Sequence, residues 1–167
     1  MSPRLFARAD ELPAAVGERW GPGPWLRVSQ AMVDRFAELT GDRQWIHVDP
    51  ARAASGPFGV AVAHGYLLVG LLTPMLAEIV RIGGVGHAVN QGVDRLRFRA
   101  PVAAGSAVRA QAVLASAHAV PGGYLATTVD VTVEAEAQER PALTAQCHSL
   151  YRLADGVGYP VTGCCER

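Results

Sequence analysis

Two short stretches of the chain combine residue types that do chemistry. In Thr40-Gly41-Asp42-Arg43-Gln44-Trp45-Ile46-His47-Val48-Asp49-Pro50, a carboxylate (Asp42) and an imidazole (His47) stand five residues apart, just after a glycine. A carboxylate and a neutral imidazole that share one water can take a proton from it and deliver one elsewhere, which is general acid–base work. In Ala63-His64-Gly65-Tyr66, a glycine opens a long apolar run. The first N–H groups of a helix are unpaired and lie at its positive end, so a helix starting near Gly65 suits a carbonyl oxygen that gains negative charge. Glycine there lets a ligand approach the backbone closely. On this reading Asp42 and His47 move protons and the backbone N–H of Gly65 holds a substrate carbonyl; the plainer reading of each residue alone is Asp42 as a cap of the turn after Gly41 and His47 as a structural hydrogen-bonder.

The elements around these residues follow from local signals. Trp25-Leu26-Arg27-Val28 reads as a first short strand. Ser29 is an N-cap for an amphipathic helix over residues 30–39, with Met32, Val33, Phe36, Ala37 and Leu39 at helical spacing, and Gly41 ends it in a left-handed cap. Asp49 caps a restart in which Pro50 fits the first turn and residues 51–54 form the body. Asp42 and His47 therefore lie in a connection clamped between a helix end and a helix start. Residues 66–80 are apolar almost all round, as expected of a helix wrapped by the rest of the domain. Strand patterns then cover residues 87–99, 106–117, 124–137 and 141–153, with Pro121-Gly122-Gly123 as a hairpin turn. In the third of these, Val129, Val131 and Val133 alternate with Asp130, Thr132 and Glu134. A few helices followed by a meander of long antiparallel strands is α+β, most economically a sheet wrapped around the apolar helix.

Composition narrows the function classes. The 167 residues suit one domain, 1–167, with residues 1–24 as an N-terminal arm and 154–167 as a loose tail. Half the residues are hydrophobic and 18% are charged, so the chain is globular. Fifteen basic and 15 acidic residues cancel, which speaks against a nucleic-acid or anionic-membrane binder. The chain has no lysine, which excludes Schiff-base chemistry. Cys147, Cys164 and Cys165 give neither a disulfide framework nor zinc spacing, so a reducing cytoplasm is expected. Residues 1–10 lack the continuous apolar core of a signal peptide, and the run from Gly65 is short for a membrane span.

The motifs resemble the MaoC-like family of (R)-specific enoyl-CoA hydratases and dehydratases. Phe36, Thr40-Gly41-Asp42, Ile46-His47 and Ala53 carry the likeness. Gln44-Trp45, Gly56-Pro57-Phe58-Gly59, Ala63-His64-Gly65, Val89-Asn90-Gln91-Gly92 and Arg95-Leu96-Arg97-Phe98-Arg99-Ala100-Pro101-Val102 are similar to its NodN-like branch. The resemblance implies the hot-dog fold, a homodimer, and a hydro-lyase that adds water to trans-2-enoyl thioesters to give (R)-3-hydroxyacyl thioesters, or the reverse. It places Asp42 and His47 at the catalytic positions and Gly65 at the backbone donor. The substrate is carried by coenzyme A or acyl carrier protein, and no separate cofactor and no metal are implied.

Other residues carry two readings each. His64 either lines the pocket or caps the helix and holds the Asp42 loop, and the second is preferred. Asp49 is an N-cap. Tyr66 is core first and pocket lining second. Asn90 either bonds near the site or pins a strand start. Arg95, Arg97 and Arg99, read as one strand face, are solvated, the preferred reading, or meet the phosphates of coenzyme A or an acidic carrier protein. Asp42, His47, Asp49 and His64 match no known metal-ligand spacing. Two further functions stay open. One is a thioesterase on the same fold; the other is a non-catalytic acyl-thioester-binding subunit, against which the intact pair Asp42 and His47 speaks.

Overall fold

A computed structural model describes residues 2–154. The segment that carries the site forms three short helices in succession. Helix α1 (Gln30–Thr40) starts at Ser29, whose side chain accepts the Met32 N–H, and stops at Gly41, whose φ of 79° is the left-handed cap that glycine adopts without strain. A single turn, α2 (Trp45–Val48), fills the connection that the sequence left irregular. Asp49 then caps α3 (Pro50–Ala53) by accepting the Arg52 N–H. Helix α4 (Gly65–Ala77) begins one residue earlier than its apolar pattern suggests, and Leu67, Leu68, Leu72 and Met75 are buried.

The strands are β1 (Arg4–Phe6), β2 (Arg19–Trp20), β3 (Leu26–Arg27), β4 (Val80–Ile82), β5 (Val85–Phe98), β6 (Ala107–Val120), β7 (Tyr124–Ala135) and β8 (Leu143–Leu153). The main sheet is antiparallel and ordered β2-β6-β7-β8-β5, with β3 also paired to β6. On β7, Leu125, Thr127, Val129, Val131, Val133 and Ala135 are buried, so the expected alternation holds. Their face joins Leu68, Leu72 and Met75 of α4 in one hydrophobic cluster. The result is α+β, with an antiparallel sheet curled around one apolar helix.

Three expectations are corrected. The helix does not reach residue 80: it ends at Ala77, and Val80–Ile82 pairs in parallel with Arg4–Phe6. Apolar continuity alone does not separate a buried helix from a buried strand. Tyr66 is not core, being 70% exposed beside the Phe98 ring. Arg95, Arg97 and Arg99 do not share one regular strand face. The register slips between Asp94 and Arg97, Arg95 takes φ 51°, and Arg99 lies beyond the strand. A bulge of this kind inserts a residue and breaks the period of two.

Residues near the N-terminus pack into the body of the protein. Leu12, in the 3-10 turn Ala9–Ala15, is fully buried, and Phe6 and Trp20 meet edge to face. Cys164, Cys165 and all but the first residue of the expected tail lie outside the described residues. Among the described residues no helix is long and apolar enough to cross a membrane.

Strand β5 forms one edge of the sheet, and after Val85 its residues are exposed or partly so, including Val89, Val93 and Phe98. The buried N-terminal segment gives a direct test. Leu12→Ala is expected to lower unfolding free energy by about 2–5 kcal/mol in urea titrations, the range for a buried leucine. A loss below about 0.5 kcal/mol, typical of a surface position, would show that residues 1–24 hang free of the core.

Candidate active site

The loop after α1 is held by its own peptide groups. The Thr40 hydroxyl donates to the Phe36 carbonyl at 2.7 Å and accepts the Asp42 N–H at 3.4 Å. The Asp42 carbonyl accepts a hydrogen bond from His64 Nε2 at 2.9 Å. The Asp42 side chain itself is exposed.

His47 is buried, at 8% exposure, on the turn α2. Its Nδ1 lies 2.6 Å from the Val62 carbonyl. A carbonyl only accepts, so the proton sits on Nδ1 and the Nε2 lone pair is left to act as a base. The same reasoning puts the His64 proton on Nε2. That leaves His64 Nδ1 buried without a hydrogen-bond partner. The two imidazoles stack, with centroids 3.8 Å apart and planes at 27°. The Phe36 ring packs against His64 with centroids 5.0 Å apart.

Carboxylate and imidazole donor atoms of Asp42, His47 and His64 all lie within 4.8 Å of one another. That separation suits a water bonded to both Asp42 and His47, since two hydrogen bonds of about 2.8 Å meeting at a tetrahedral oxygen span roughly that distance. The donor set of one carboxylate and two imidazoles is also what a divalent metal takes. The near-parallel rings, however, direct their in-plane lone pairs along neighbouring planes, not toward one point between them.

His64 is also the residue before α4. Its side chain makes no cap, so the sequence reading is half realised: His64 holds the Asp42 loop and leaves the helix end open. Within α4 the first amides to find acceptors are those of Leu67 and Leu68, both bonded to the His64 carbonyl. The N–H groups of Gly65 and Tyr66 precede any intrahelical acceptor. At Gly65 an added Cβ would stand 2.8 Å from the Phe98 ring, so a side chain there would have to push that half-exposed ring aside.

The remaining sequence candidates scatter. Tyr66 is on the surface beside Phe98. Asn90 is in the middle of β5, not at a strand start, and its Oδ1 accepts from the Ser149 hydroxyl at 3.4 Å. It lines a separate cavity between α4 and the β5/β8 edge, together with Val69, Leu72 and Tyr151. Arg97 and Arg99 flank Phe98 and are exposed, and Arg99 Nε donates to Thr144 at 3.3 Å.

Two supports escaped the sequence reading. Gln30 Nε2 donates to the His47 carbonyl at 2.8 Å and ties α1 to α2. An amide in the first turn of the preceding helix is its only sequence trace. The Val62 carbonyl has none, because every residue offers the same group.

Comparisons with known proteins give the family and the fold. A family model described as the MaoC like domain matches residues 11–137. The 3-hydroxyacyl-thioester dehydratase Z of Mycobacterium tuberculosis is 43% identical over 143 residues, which cover 86% of this chain and 95% of that protein. Nodulation protein N of Rhizobium leguminosarum bv. viciae is 42% identical over 137 residues, covering 81% of this chain and 85% of the relative. The unliganded R-hydratase PhaJ1 of Pseudomonas aeruginosa superposes with a TM-score of 0.67 at 21% identity, over 93% of this chain and 90% of that one. At that identity the superposition speaks for the shared hot-dog fold alone.

The two carbonyl contacts fix opposite tautomers, and nitrogen NMR reads them directly. In alkaline buffer His47 is expected to show a protonated Nδ1 and an unprotonated Nε2, and His64 the reverse. A His47 spectrum with the proton on Nε2 would remove the lone pair on which the site depends.

Proposed function

The chain belongs to the MaoC-like dehydratase family, and from that premise we propose that Asp42 and His47 add water across the double bond of trans-2-enoyl thioesters to give (R)-3-hydroxyacyl thioesters, and catalyse the reverse elimination. The observation that carries the assignment is the approach of the Asp42 carboxylate and the His47 imidazole to within 4.8 Å, beside the first residue of α4. The matched relative from Mycobacterium tuberculosis, a 3-hydroxyacyl-thioester dehydratase by name, supports the reaction class.

In hydration, one member of the pair takes a proton from the shared water as its oxygen bonds to Cβ. The double-bond electrons move to the thioester carbonyl, and the enolate oxygen is met by the Gly65 N–H at the positive end of α4. A proton is returned to Cα through the other member, the thioester re-forms, and one water has been added. No electron carrier enters the balance. The proposal calls on no group beyond the coenzyme A or carrier protein that belongs to the substrate. Arg97 and Arg99, placed around the Phe98 ring that covers Gly65, are the groups we assign to the phosphates of that carrier, with Arg95 beside them on the bulge.

A thioesterase would send the water to the carbonyl carbon and release free thiol. With crotonyl-CoA, loss of the conjugated enoyl absorbance without thiol release is expected, and the product is the (R)-3-hydroxy thioester. Asp42→Asn and His47→Gln should each lower kcat by about a hundredfold or more, the scale of general acid–base catalysis. Thiol release by the wild type, or variants of undiminished rate, would overturn the assignment.

The exposed edge strand β5, with Val89 and Val93 in solvent, supports a homodimer joined along that edge, since an open edge is a template for pairing. Sedimentation should give twice the chain mass, and Val89→Lys should shift the protein toward monomer. A wild-type monomer would refute the dimer.

A further inference from the structure

The cavity between α4 and the β5/β8 edge, about 690 Å³, has two unlike walls. Val69, Leu72 and Leu76 of α4 form an apolar one. They follow Gly65 at helical spacings of four, three and four residues, so they continue the helix face on which Gly65 lies. At 1.5 Å per residue they stand roughly 6 to 16 Å along the axis from Gly65. Gly65 does not itself line the cavity, so an acyl chain whose thioester oxygen is bonded at Gly65 reaches this wall by passing the Phe98 ring.

The opposite wall is mixed: Val85, Ala88, Val93 and Cys147 line it together with a polar group of Asn90, Ser149 and Tyr151. On β7 the buried residues Thr127 and Val129 mark the face turned toward α4. Directly opposed strand residues share a face, and the register pairs Thr127 with Ser149 and Ser149 with Asn90. A polar row therefore crosses three strands on the inner face of the sheet. The rows on either side contain Val129 with Cys147 and Leu125 with Tyr151. Asn90, Ser149 and Tyr151 line the cavity. The Ser149 hydroxyl donates to Asn90 Oδ1 at 3.4 Å, and the Thr127 hydroxyl donates to the Ser149 carbonyl at 3.4 Å. The Ser149 contact uses Asn90 Oδ1 and leaves the two N–H bonds of Nδ2 for a ligand. Burial pushes the Tyr151 phenol above its ordinary range, with a hydrogen bond to Thr127 working the other way, so Tyr151 stays protonated and able to donate.

A plain alkyl chain in this space would strip water from the polar row and give it no partner. Leaving buried donors and acceptors unmade costs more than the bonds themselves contribute. We infer that this cavity selects acyl chains carrying a hydroxyl or carbonyl oxygen beyond the reacting carbons, with Asn90 and Ser149 as the residues that read it. The inference rests on the thioester reading of the Asp42–His47 site, because that reading places the chain at Gly65.

Binding separates the two ideas, since saturated thioesters bind without reacting. The full-length protein is titrated calorimetrically with two matched pairs, hexanoyl-CoA with 6-hydroxyhexanoyl-CoA and octanoyl-CoA with 8-hydroxyoctanoyl-CoA. At one length or both, the hydroxylated member should bind about tenfold tighter, a Kd ratio of the size a single well-made polar contact supplies. Asn90→Leu and Ser149→Ala should each abolish or reverse that order, while crotonyl-CoA, too short to reach the row, is turned over at the wild-type rate. Equal or weaker binding of both hydroxylated chains overturns the inference, as does a preference that survives in both variants. Failure of crotonyl-CoA turnover in every protein, wild type included, counts against the hydratase reading, and the titrations still decide the chain preference.

Discussion

Two hydrogen bonds from imidazole rings to backbone carbonyls tie the site together. His47 Nδ1 reaches Val62 at 2.6 Å and His64 Nε2 reaches Asp42 at 2.9 Å. They run in opposite directions between the same two segments, the loop after α1 and the strip before α4, and the rings stack where the segments cross. Each bond fixes a tautomer and a ring orientation at once. The Val62 N–H bonds back to the Ile46 carbonyl, and Val62 also bridges to Ala103, so the strip is anchored to the sheet side of the molecule. Without this crossing the carboxylate, the base and the helix end would be three separate local features.

The apolar helix explains why the crossing lies where it does. A helix that is apolar almost all round must bury most of its surface, so the sheet curls around it. One narrow stripe, Tyr66, Gly70 and Pro74, faces solvent, and the two ends of the helix reach the surface. The N-terminal end, with unpaired N–H groups, is the one that meets the α1–α2 connection, and Phe98 of the edge strand closes over it against a residue without a side chain. The same curl leaves β5 as an open edge and a cavity between that edge and α4. The open helix end, the unpaired sheet edge and the cavity are consequences of one packing problem.

Much of this was legible because it is local. Ser29, Gly41 and Asp49 act within three residues of themselves, and their capping roles can be read from residue type. The alternation along β7 is local too. The spacing of Asp42 and His47 is local as well, and the two side chains approach to within 4.8 Å. What stayed hidden depends on contacts between distant segments. The pairing of Arg4–Phe6 with Val80–Ile82 joins residues 76 positions apart through backbone alone. Tyr66 looked like core because it continues an apolar run, but its place on the first turn turns it outward. The bulge at Arg95 cannot be seen in a sequence whose arginines keep a regular period. Asn90 joined a row only when the β5/β8 register was known.

The distribution of burial within the site adds a last constraint. His47 and His64 are shielded, whereas the Asp42 side chain faces outward. Asp42 is nevertheless held, because both its N–H and its carbonyl are bonded, to Thr40 and to His64. The carboxylate takes no part in that anchoring. Its substitution therefore removes charge and proton capacity while the loop keeps its supports, which is the condition for reading a rate change as chemistry instead of unfolding. A bound acyl thioester covering Asp42 would exclude water from a pair already half enclosed. The interaction between carboxylate, imidazole and the N-terminal amides of α4 then strengthens as the local dielectric falls. An exposed acid on a rigid backbone beside a buried base suits a site that must admit water before the substrate arrives and retain a single molecule of it afterwards.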